Sequence, residues 1–197
     1  ARTARGLKGV DLPGPGLTFV AMQSSGEWPA ATRIDTRRLI LEPLQVAHAE
    51  EMLFVLGDEA LYEFTGGVAP TLAELRARYA RQVSGRSSDR TQGWLNWIVR
   101  EREHQIPIGT VQSTLAWKEQ DIVGEVAWII GVSHQRRGYA TEAVEAMVAW
   151  LGRHDVIGAA AHLDPRHVAS IAVATRLGFT ATSTVVDGET RWTRGRP

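Results

Sequence analysis

The segment from Gln135 to Ala143 combines residue types that suit anion binding. Its sequence is Gln-Arg-Arg-Gly-Tyr-Ala-Thr-Glu-Ala, and it lies between an alternating apolar stretch and an amphipathic helical stretch. A turn that connects a strand to a helix in this way leaves backbone N–H groups unpaired, and the helix dipole adds partial positive charge there. Arg136 and Arg137 add two cations, and Gly138 and Ala140 let the backbone approach a ligand closely. The segment therefore predicts an anion site that suits a diphosphate.

The alternative interpretation of this segment is a surface turn with two solvated arginines. Two other phosphate-binding motifs do not occur in the sequence: there is no GxxxxGK(S/T) loop, and no GxGxxG follows the first strand of a βαβ unit. A nucleoside triphosphatase is therefore disfavoured.

Three motifs, in order along the chain, resemble those of the GNAT N-acyltransferase superfamily. Residues Gln135–Ala140 match its Q/R-x-x-G-x-G/A acyl-CoA signature. Downstream, Asp164–Ser170 and Val173–Phe179 are similar to its x-P-x-N-x-A-S…LGF segment. Together with Arg38–Leu44 near the start, the pattern resembles the RimJ/RimL-type branch over about residues 36 to 193. Three ordered motifs favour this family over the surface-turn alternative.

The resemblance implies an α+β (mixed α/β) fold with a splayed, mostly antiparallel central sheet flanked by helices. In similar enzymes the fourth strand, here Ala127 to Val132, lends main-chain groups to the pantetheine of acetyl-CoA, and the thioester lies at the splay. Gly131 and Ser133 are able to interrupt strand pairing and to leave N–H groups free for the ligand or the thioester oxygen. The residues that the resemblance assigns to acetyl-CoA are Ile129, Ile130, Gly131, Val132, Gln135, Arg136, Arg137, Gly138, Tyr139, Ala140, Thr141 and His167.

Acetyl transfer to an amine needs a neutral amine and a proton for the departing thiolate. Similar enzymes often carry a Glu near the start of the CoA-contacting strand, which makes Glu125 the candidate base, acting directly or through water. Its alternative is a carboxylate solvated at a strand start, and Glu63 and Glu101 are weaker candidates. Ser170 falls on the family position that can lie near the CoA sulfur, so it is the candidate acid. Its alternative is a helical Ser bonded to its own backbone.

His167 is a departure from the resemblance, because the branch usually has Asn at that position. An imidazole can still donate a hydrogen bond to pantetheine, and it titrates near neutral pH. We therefore expect acetyl-CoA binding to persist with a changed pH dependence.

The predicted central strands carry several tryptophans, and similar enzymes border their acceptor pocket with these strands. Trp94, Trp117 and Trp128 are the candidates for substrate binding, as walls for an apolar or cationic acceptor. The alternative is that they belong to the hydrophobic core.

The elements that position these residues follow from hydrophobic periodicity. From Arg38 the order is strand, two helices, three strands, helix, strand, helix and two strands, which predicts a mixed sheet with helices on its faces. Thr71 predicts a helix N-cap, and Asp187-Gly188 predicts a hairpin turn. Two-residue alternation predicts strands over residues 94–101, 108–115 and 123–130.

The chain is expected to hold one domain after an N-terminal arm. Residues 1–37 are rich in Gly and Pro and show no helical or strand period, so they predict an arm outside the core. The alternative is an arm docked on the domain or on a second subunit by its apolar residues Leu17, Phe19, Val20, Met22 and Trp28. Residues 38–197 form the predicted acetyltransferase domain.

Composition excludes several classes of function. Lys plus Arg is 22 and Asp plus Glu is 22, so the formal net charge is zero, and no strong field favours nucleic acid or an anionic membrane. The chain has no Cys, which excludes disulfides, thiolate metal sites and a Cys nucleophile. The histidines form no dense ligand set, so no metal is expected.

The same features place the protein in the cytoplasm. No apolar run approaches the roughly 18 residues of a membrane span. The apolar stretch near the start is broken by Pro13 and Pro15, which disfavours a signal peptide. We therefore expect a cytoplasmic protein with no membrane partner.

The motifs together predict an N-acetyltransferase that moves the acetyl group from acetyl-CoA to a primary amine by direct attack in a ternary complex. The acceptor is a protein N-terminal amine or a small-molecule amine, and the resemblance does not choose between them. One alternative is a catalytically silent acyl-CoA-binding or regulatory module. Another is an enzyme of the same fold with a different acyl donor, in biosynthesis or resistance. Members of this branch often form dimers, so a homodimer is an expectation to test.

Overall fold

The computed structural model describes residues 27–64 and 66–195, and the strands in this part of the chain form one sheet. They are β1 (Ile34–Asp35), β2 (Leu39–Pro43), β3 (Gln92–Glu101), β4 (Pro107–Lys118), β5 (Asp121–Ile130), β6 (Val156–Leu163), β7 (Thr180–Val186) and β8 (Glu189–Arg194). Their order across the sheet is β1-β2-β3-β4-β5-β6-β8-β7. Only the β5–β6 pair within this sheet is parallel. The predicted mixed, mostly antiparallel sheet is confirmed.

Helices cover both faces of the sheet. They are α1 (Ala49–Leu56), α2 (Leu72–Gln82), α3 (Tyr139–Gly152) and α4 (Val168–Arg176). Along β3, Leu95 and Trp97 pack into one core with α3 and α4, whereas Ile98 packs into a second core with α1 and α2. We call these two sides of the sheet the α3 face and the α1 face. Among the described residues, no helix has the length and apolarity to cross a bilayer.

Two local signals in the sequence act as predicted. The Thr71 hydroxyl accepts a hydrogen bond from the Glu74 N–H at 3.3 Å, and the Glu74 carboxylate accepts one from the Thr71 N–H at 2.8 Å, so α2 begins with a capping box. Asp187 and Gly188 have φ of 53° and 88°, as the turn between β7 and β8 requires. Both predictions are confirmed.

The stretch from residue 27 to 37 belongs to the packed domain, whereas the sequence analysis assigned it to an arm outside the core. Ile34 is buried in the α3-face core, and β1 pairs with β2. The carbonyl of Thr32 accepts from Trp97 Nε1 and its hydroxyl accepts from Trp150 Nε1, both at 2.8 Å. These hydrogen bonds join residues far apart in the chain, so the sequence around Thr32 does not indicate them. Residues 1–26 of the predicted arm lie outside the described residues.

The sheet splays between its two parallel strands. The β5–β6 ladder joins Ile122–Glu125 to Val156–Ala160. Beyond Glu125, β5 continues to Ile130 and β6 continues to Leu163, but the described residues contain no further pairs between them. The predicted splay is therefore present, and it begins at Glu125.

Candidate active site at the splayed strands

The splay lies at the carboxyl ends of β5 and β6, and a helix follows each of these strands. The chain runs from β5 through a short turn into α3, and from β6 into α4. Crevices at the carboxyl ends of parallel strands are common ligand sites, because unpaired N–H groups at helix N-termini point there. Both helix N-termini therefore border the same crevice.

The β6-facing edge of β5 carries backbone groups without a strand partner. The N–H of Gly131 donates to the carbonyl of Ile108 on β4, at 2.8 Å. Since successive residues of a strand direct their backbone groups to opposite sides, those of Trp128 and Ile130, which lie beyond the last pair at Glu125, face the crevice. The carbonyl of Ile130 accepts a hydrogen bond from Gln135 Nε2 at 2.9 Å, which agrees with this direction.

This geometry separates the backbone positions that the resemblance assigned to acetyl-CoA. The backbone of Ile130 is directed into the crevice, whereas those of Ile129 and Gly131 are directed at β4. Val132 begins a short 3-10 turn that leads to Gln135.

The predicted anion-binding turn opens α3, and it is exposed. Gly138 is the N-cap of the helix with φ of 76°, and Arg136 also has a positive φ of 61°. The N–H groups of Tyr139, Ala140 and Thr141 belong to the first turn of the helix, where an α-helix offers them no carbonyl. The side chains of Gln135, Arg136 and Arg137 are exposed beside them.

Arg38 and Glu142 fasten this turn to the start of β2. Arg38 Nε donates to Glu142 at 2.6 Å, and Arg38 Nη1 donates to the carbonyl of Arg137 at 2.9 Å. The Thr36 hydroxyl donates to the same carboxylate at 2.7 Å. Burial raises the pKa of Glu142, but the hydrogen bonds from Thr36 and Arg38 outweigh burial, so its pKa is lowered. These contacts join residues about 100 positions apart, so no local sequence pattern indicates them.

Tyr139 holds the start of α3 with its side chain. Its hydroxyl donates to Glu101 at 2.8 Å, and the guanidinium of Arg38 lies 4.8 Å from its ring centroid. The ring is buried, so its backbone N–H is the group that remains for an anion. Glu101 also contacts His104, and these hydrogen bonds lower its pKa.

Glu125 lies on the α1 face, at the point where the splay begins. Strand register places Trp94, Thr114, Glu125 and Ala160 in one row across β3, β4, β5 and β6. His162 follows two residues after Ala160, and its Nε2 lies 3.5 Å from Glu125 Oε1. The contact with His162 lowers the pKa of Glu125. The sequence analysis did not predict this pair.

The three candidate tryptophans are divided between the two faces of the sheet. Trp94 shares the α1 face with Glu125, and its Nε1 is buried without a partner among the described residues. Trp117 and Trp128 lie on the α3 face, where Trp117 is 6.0 Å from Trp28 and Trp128 packs against the core. The structure therefore places one of the three on the same face as Glu125, two strands away from it, and the other two on the opposite face.

His167 and Ser170 lie at the start of α4. The ring of His167 stacks on Phe64 with centroids 4.5 Å apart, and burial lowers its pKa. Phe64 belongs to the connection between α1 and α2, so this connection reaches α4. Ser170 is buried in the first turn of the helix. Glu63, next to Phe64, is exposed.

No group of three or more metal-ligating side chains occurs among residues 27–64 and 66–195. The groups assembled at the crevice are a free backbone edge, a helix N-terminus with two exposed arginines, and a carboxylate–imidazole pair. This set can bind an extended polar ligand with a diphosphate and can remove a proton beside it.

The model of the GNAT acetyltransferase domain matches residues 38–180. An acetyltransferase of the GNAT family from Bacillus anthracis has a similar structure, with 15% identity, a TM-score of 0.67, and coverage of 83% of this chain and 98% of that chain. No curated protein sequence matches the chain significantly.

Two further solved structures of this fold contain coenzyme A. RimL, a ribosomal alpha-N-protein acetyltransferase, has 16% identity and a TM-score of 0.67 over 84% of this chain and 98% of that one. The aminoglycoside acetyltransferase AAC(6')-Ib has 22% identity and a TM-score of 0.67 over 80% of this chain and 95% of that one. The splayed sheet and the exposed turn at the start of α3 accord with the match of the domain model: the chain belongs to the GNAT acetyltransferase family.

Proposed function

We propose that the chain transfers the acetyl group of acetyl-CoA to a primary amine by direct attack in a ternary complex. The observation that carries this proposal is the end of the β5–β6 ladder at Glu125. It opens a crevice that has a free backbone edge along β5 and a carboxylate on the α1 face. Donor and acceptor can therefore meet there without an enzyme nucleophile.

The acetyl donor, acetyl-CoA, binds along the edge of β5 and at the first turn of α3. The first turn of α3, with Arg136 and Arg137, binds the diphosphate, and the free edge of β5 bonds the amides of pantetheine. One of the free N–H groups on that edge polarises the thioester carbonyl, where negative charge develops during attack. His167 borders the crevice from α4.

The α1 side of the crevice holds the acceptor. Glu125 takes a proton from the ammonium group, and the neutral amine attacks the carbonyl carbon of the thioester. The C–N bond forms, the C–S bond breaks, and the thiolate leaves with the electron pair. The second proton of the attacking nitrogen passes to the thiolate through the Ser170 hydroxyl.

The acceptor is a protein N-terminal amine, as in the RimJ/RimL branch, or a small-molecule amine. The names of two structural neighbours describe one enzyme of each kind. Their identities of 16% and 22% support the shared fold and do not decide between these acceptors.

The test is a titration of the protein with acetyl-CoA, followed by addition of amine pools while free thiol is recorded. One pool contains peptides with free N-termini, and the other contains small amines. Binding followed by amine-dependent thiol release is the expected result. Binding without release in any pool would favour the silent acyl-CoA-binding module, and the absence of binding would overturn the site built on the first turn of α3.

A further inference from the structure

The proposed base, Glu125, has a second titratable side chain beside it, the imidazole of His162. The side chain of Glu125 is 53% exposed and that of His162 is 24% exposed, so the carboxylate is open to an acceptor and the imidazole lies behind it. The pair bridges β5 and β6 at the last rung of their ladder, Glu125 to Ala160. A ligand on the α1 face therefore meets the carboxylate first.

A carboxylate alone is a weak base compared with the amine whose proton it must accept. An alkylammonium group has a pKa of about 10 and a carboxyl group one of about 4, so the proton is held only weakly on Glu125. The contact with His162 lowers the pKa of Glu125 further. An imidazole is the side chain that ordinarily accepts a proton near neutral pH.

We propose that His162 is the final acceptor of the amine proton and that it receives this proton through the Glu125 carboxylate. This inference rests on the proposed function, since it names how the same site removes the proton. In this arrangement Glu125 contacts the amine acceptor, and His162 carries the positive charge of the proton that the amine has lost.

The proton transfer balances in two steps. The ammonium N–H bond breaks and the proton moves to the free oxygen of Glu125. The protonated carboxyl group then turns about its Cγ–Cδ bond, the O–H bond to this same proton breaks, and the proton moves to Nε2 of a His162 imidazole that has its hydrogen on Nδ1. The result is a neutral amine and an ion pair of carboxylate and imidazolium. After the thiol leaves, the partly exposed imidazolium returns its proton to solvent.

The charges around His162 favour this arrangement. On β5 the facing charged group is Glu125, at 3.5 Å. On β8 the facing group is Arg191, which is the register partner of His162. The carboxylate stabilises an imidazolium and the guanidinium opposes it. Arg191 acts electrostatically on Glu125 as well, but the contact between Glu125 and His162 has the larger effect on the pKa of that carboxyl group.

The test compares wild type with His162→Gln from about pH 6.5 to pH 9.5, using an acceptor found by thiol release. At about pH 7, kcat of the variant is expected to fall about 100-fold, because the ammonium has lost its proton acceptor. Near pH 9.5 a large share of the amine is already neutral, so the loss is expected to shrink to a few-fold. Acetyl-CoA affinity and Tm are measured to show that binding and folding persist.

Two further variants separate a proton acceptor from a merely structural residue. Glu125→Gln combined with His162→Gln should lose no more activity than Glu125→Gln alone, because His162 acts through Glu125. The matched control is His48→Gln, since Nε2 of His48 also lies near a carboxylate, 3.8 Å from Glu42, but on β2. This control is expected to keep the wild-type pH profile.

These experiments distinguish a failure of the His162 proposal from a failure of the proposed acetyl transfer. If wild type turns over but His162→Gln shows an equal loss at every pH, or if the two losses multiply in the double variant, this proposal is overturned and acetyl transfer stands. If wild type binds acetyl-CoA but releases no thiol with any amine, acetyl transfer is overturned and this proposal falls with it.

Discussion

Gly138 combines a positive φ with a position at the start of the predicted anion-binding turn. At φ of 76° a side chain is strained, and a Cβ there would lie 3.4 Å from Arg38 Nη2. We expect Gly138→Ala to cost about 1 kcal/mol of stability and also to weaken acetyl-CoA binding, because it narrows the approach to the turn. Thermal unfolding and calorimetric titration measure the two effects.

Gly178 provides the matched control for this substitution. It has φ of 77°, and nothing lies within 4 Å of its Cβ position at the end of α4. Gly178→Ala should show a similar loss of Tm with unchanged acetyl-CoA affinity. An equal loss of affinity in both variants would show that strain alone, and not the turn, controls binding.

The proposed role of Glu125 is to take the proton of the amine, which requires an ionised carboxylate. Glu125→Gln keeps the size of the side chain but removes its capacity to take a proton, so kcat is expected to fall by about 10²- to 10⁴-fold. Acetyl-CoA affinity should be unchanged, because this carboxylate lies on the α1 face. Thiol release and titration measure both quantities, and Glu103→Gln, an exposed carboxylate on another turn, is the control. A normal rate in Glu125→Gln would assign the proton to another group.

Residues with local signals were predictable from the sequence, and residues that depend on register were not. Thr71 was found because its capping partner lies three positions away. The contact between Glu125 and His162 depends on the parallel register of β5 and β6, which are separated in the chain by α3. Nothing in either residue's neighbourhood in the sequence indicates that register.

At the scale of elements, Glu142 ties α3 to the start of β2. We expect Glu142→Gln to lower the free energy of unfolding by about 1–3 kcal/mol at pH 7, because it weakens hydrogen bonds from Arg38 and Thr36 to a charged group. The folded-state pKa of Glu142 is lowered from 4.5, so its contribution is present above that pH and is lost as the pH falls through the folded value.

Chemical denaturation from pH 7 to below pH 4.5 tests the contribution of the Glu142 hydrogen bonds to stability. The difference between wild type and Glu142→Gln should shrink as the pH falls below 4.5 and should vanish below the lowered folded-state pKa of Glu142, where both side chains are neutral. Glu145→Gln, an exposed position on the same helix, should match wild type throughout. A pH-independent difference would indicate a packing effect in place of the charge.

Strand alternation predicted β3, β4 and β5, and the helical period predicted α3, because each pattern is contained within its own element. The first strand was missed for a different reason. Thr32 and Ile34 are held by Trp97 and Trp150, so the stretch is ordered by distant tryptophans and not by its own composition. The place of the splay came from the family resemblance, and its residue-level position at Glu125 came from the structure.

For the whole molecule, acetyl-CoA should stabilise the folded state by binding it alone. At a ligand concentration 100 times Kd the gain is about 2.7 kcal/mol, which corresponds to a rise in Tm of about 5–10 °C for a chain of this size. Arg137→Ala should reduce the rise, and Arg153→Ala, at the opposite end of α3, should not. Thermal unfolding with and without ligand measures this, and an equal rise in all three proteins would remove Arg137 from the donor site.

The end of the β5–β6 ladder also sets which amide hydrogens exchange with solvent. The N–H groups of Trp128 and Ile130 have no strand partner across the splay in the described part of the chain, whereas that of Ile129 faces β4. In the free protein, exchange along β5 should therefore alternate between fast and slow residues. Acetyl-CoA should slow the fast set alone, so a deuterium map would trace the donor site before any acceptor is identified.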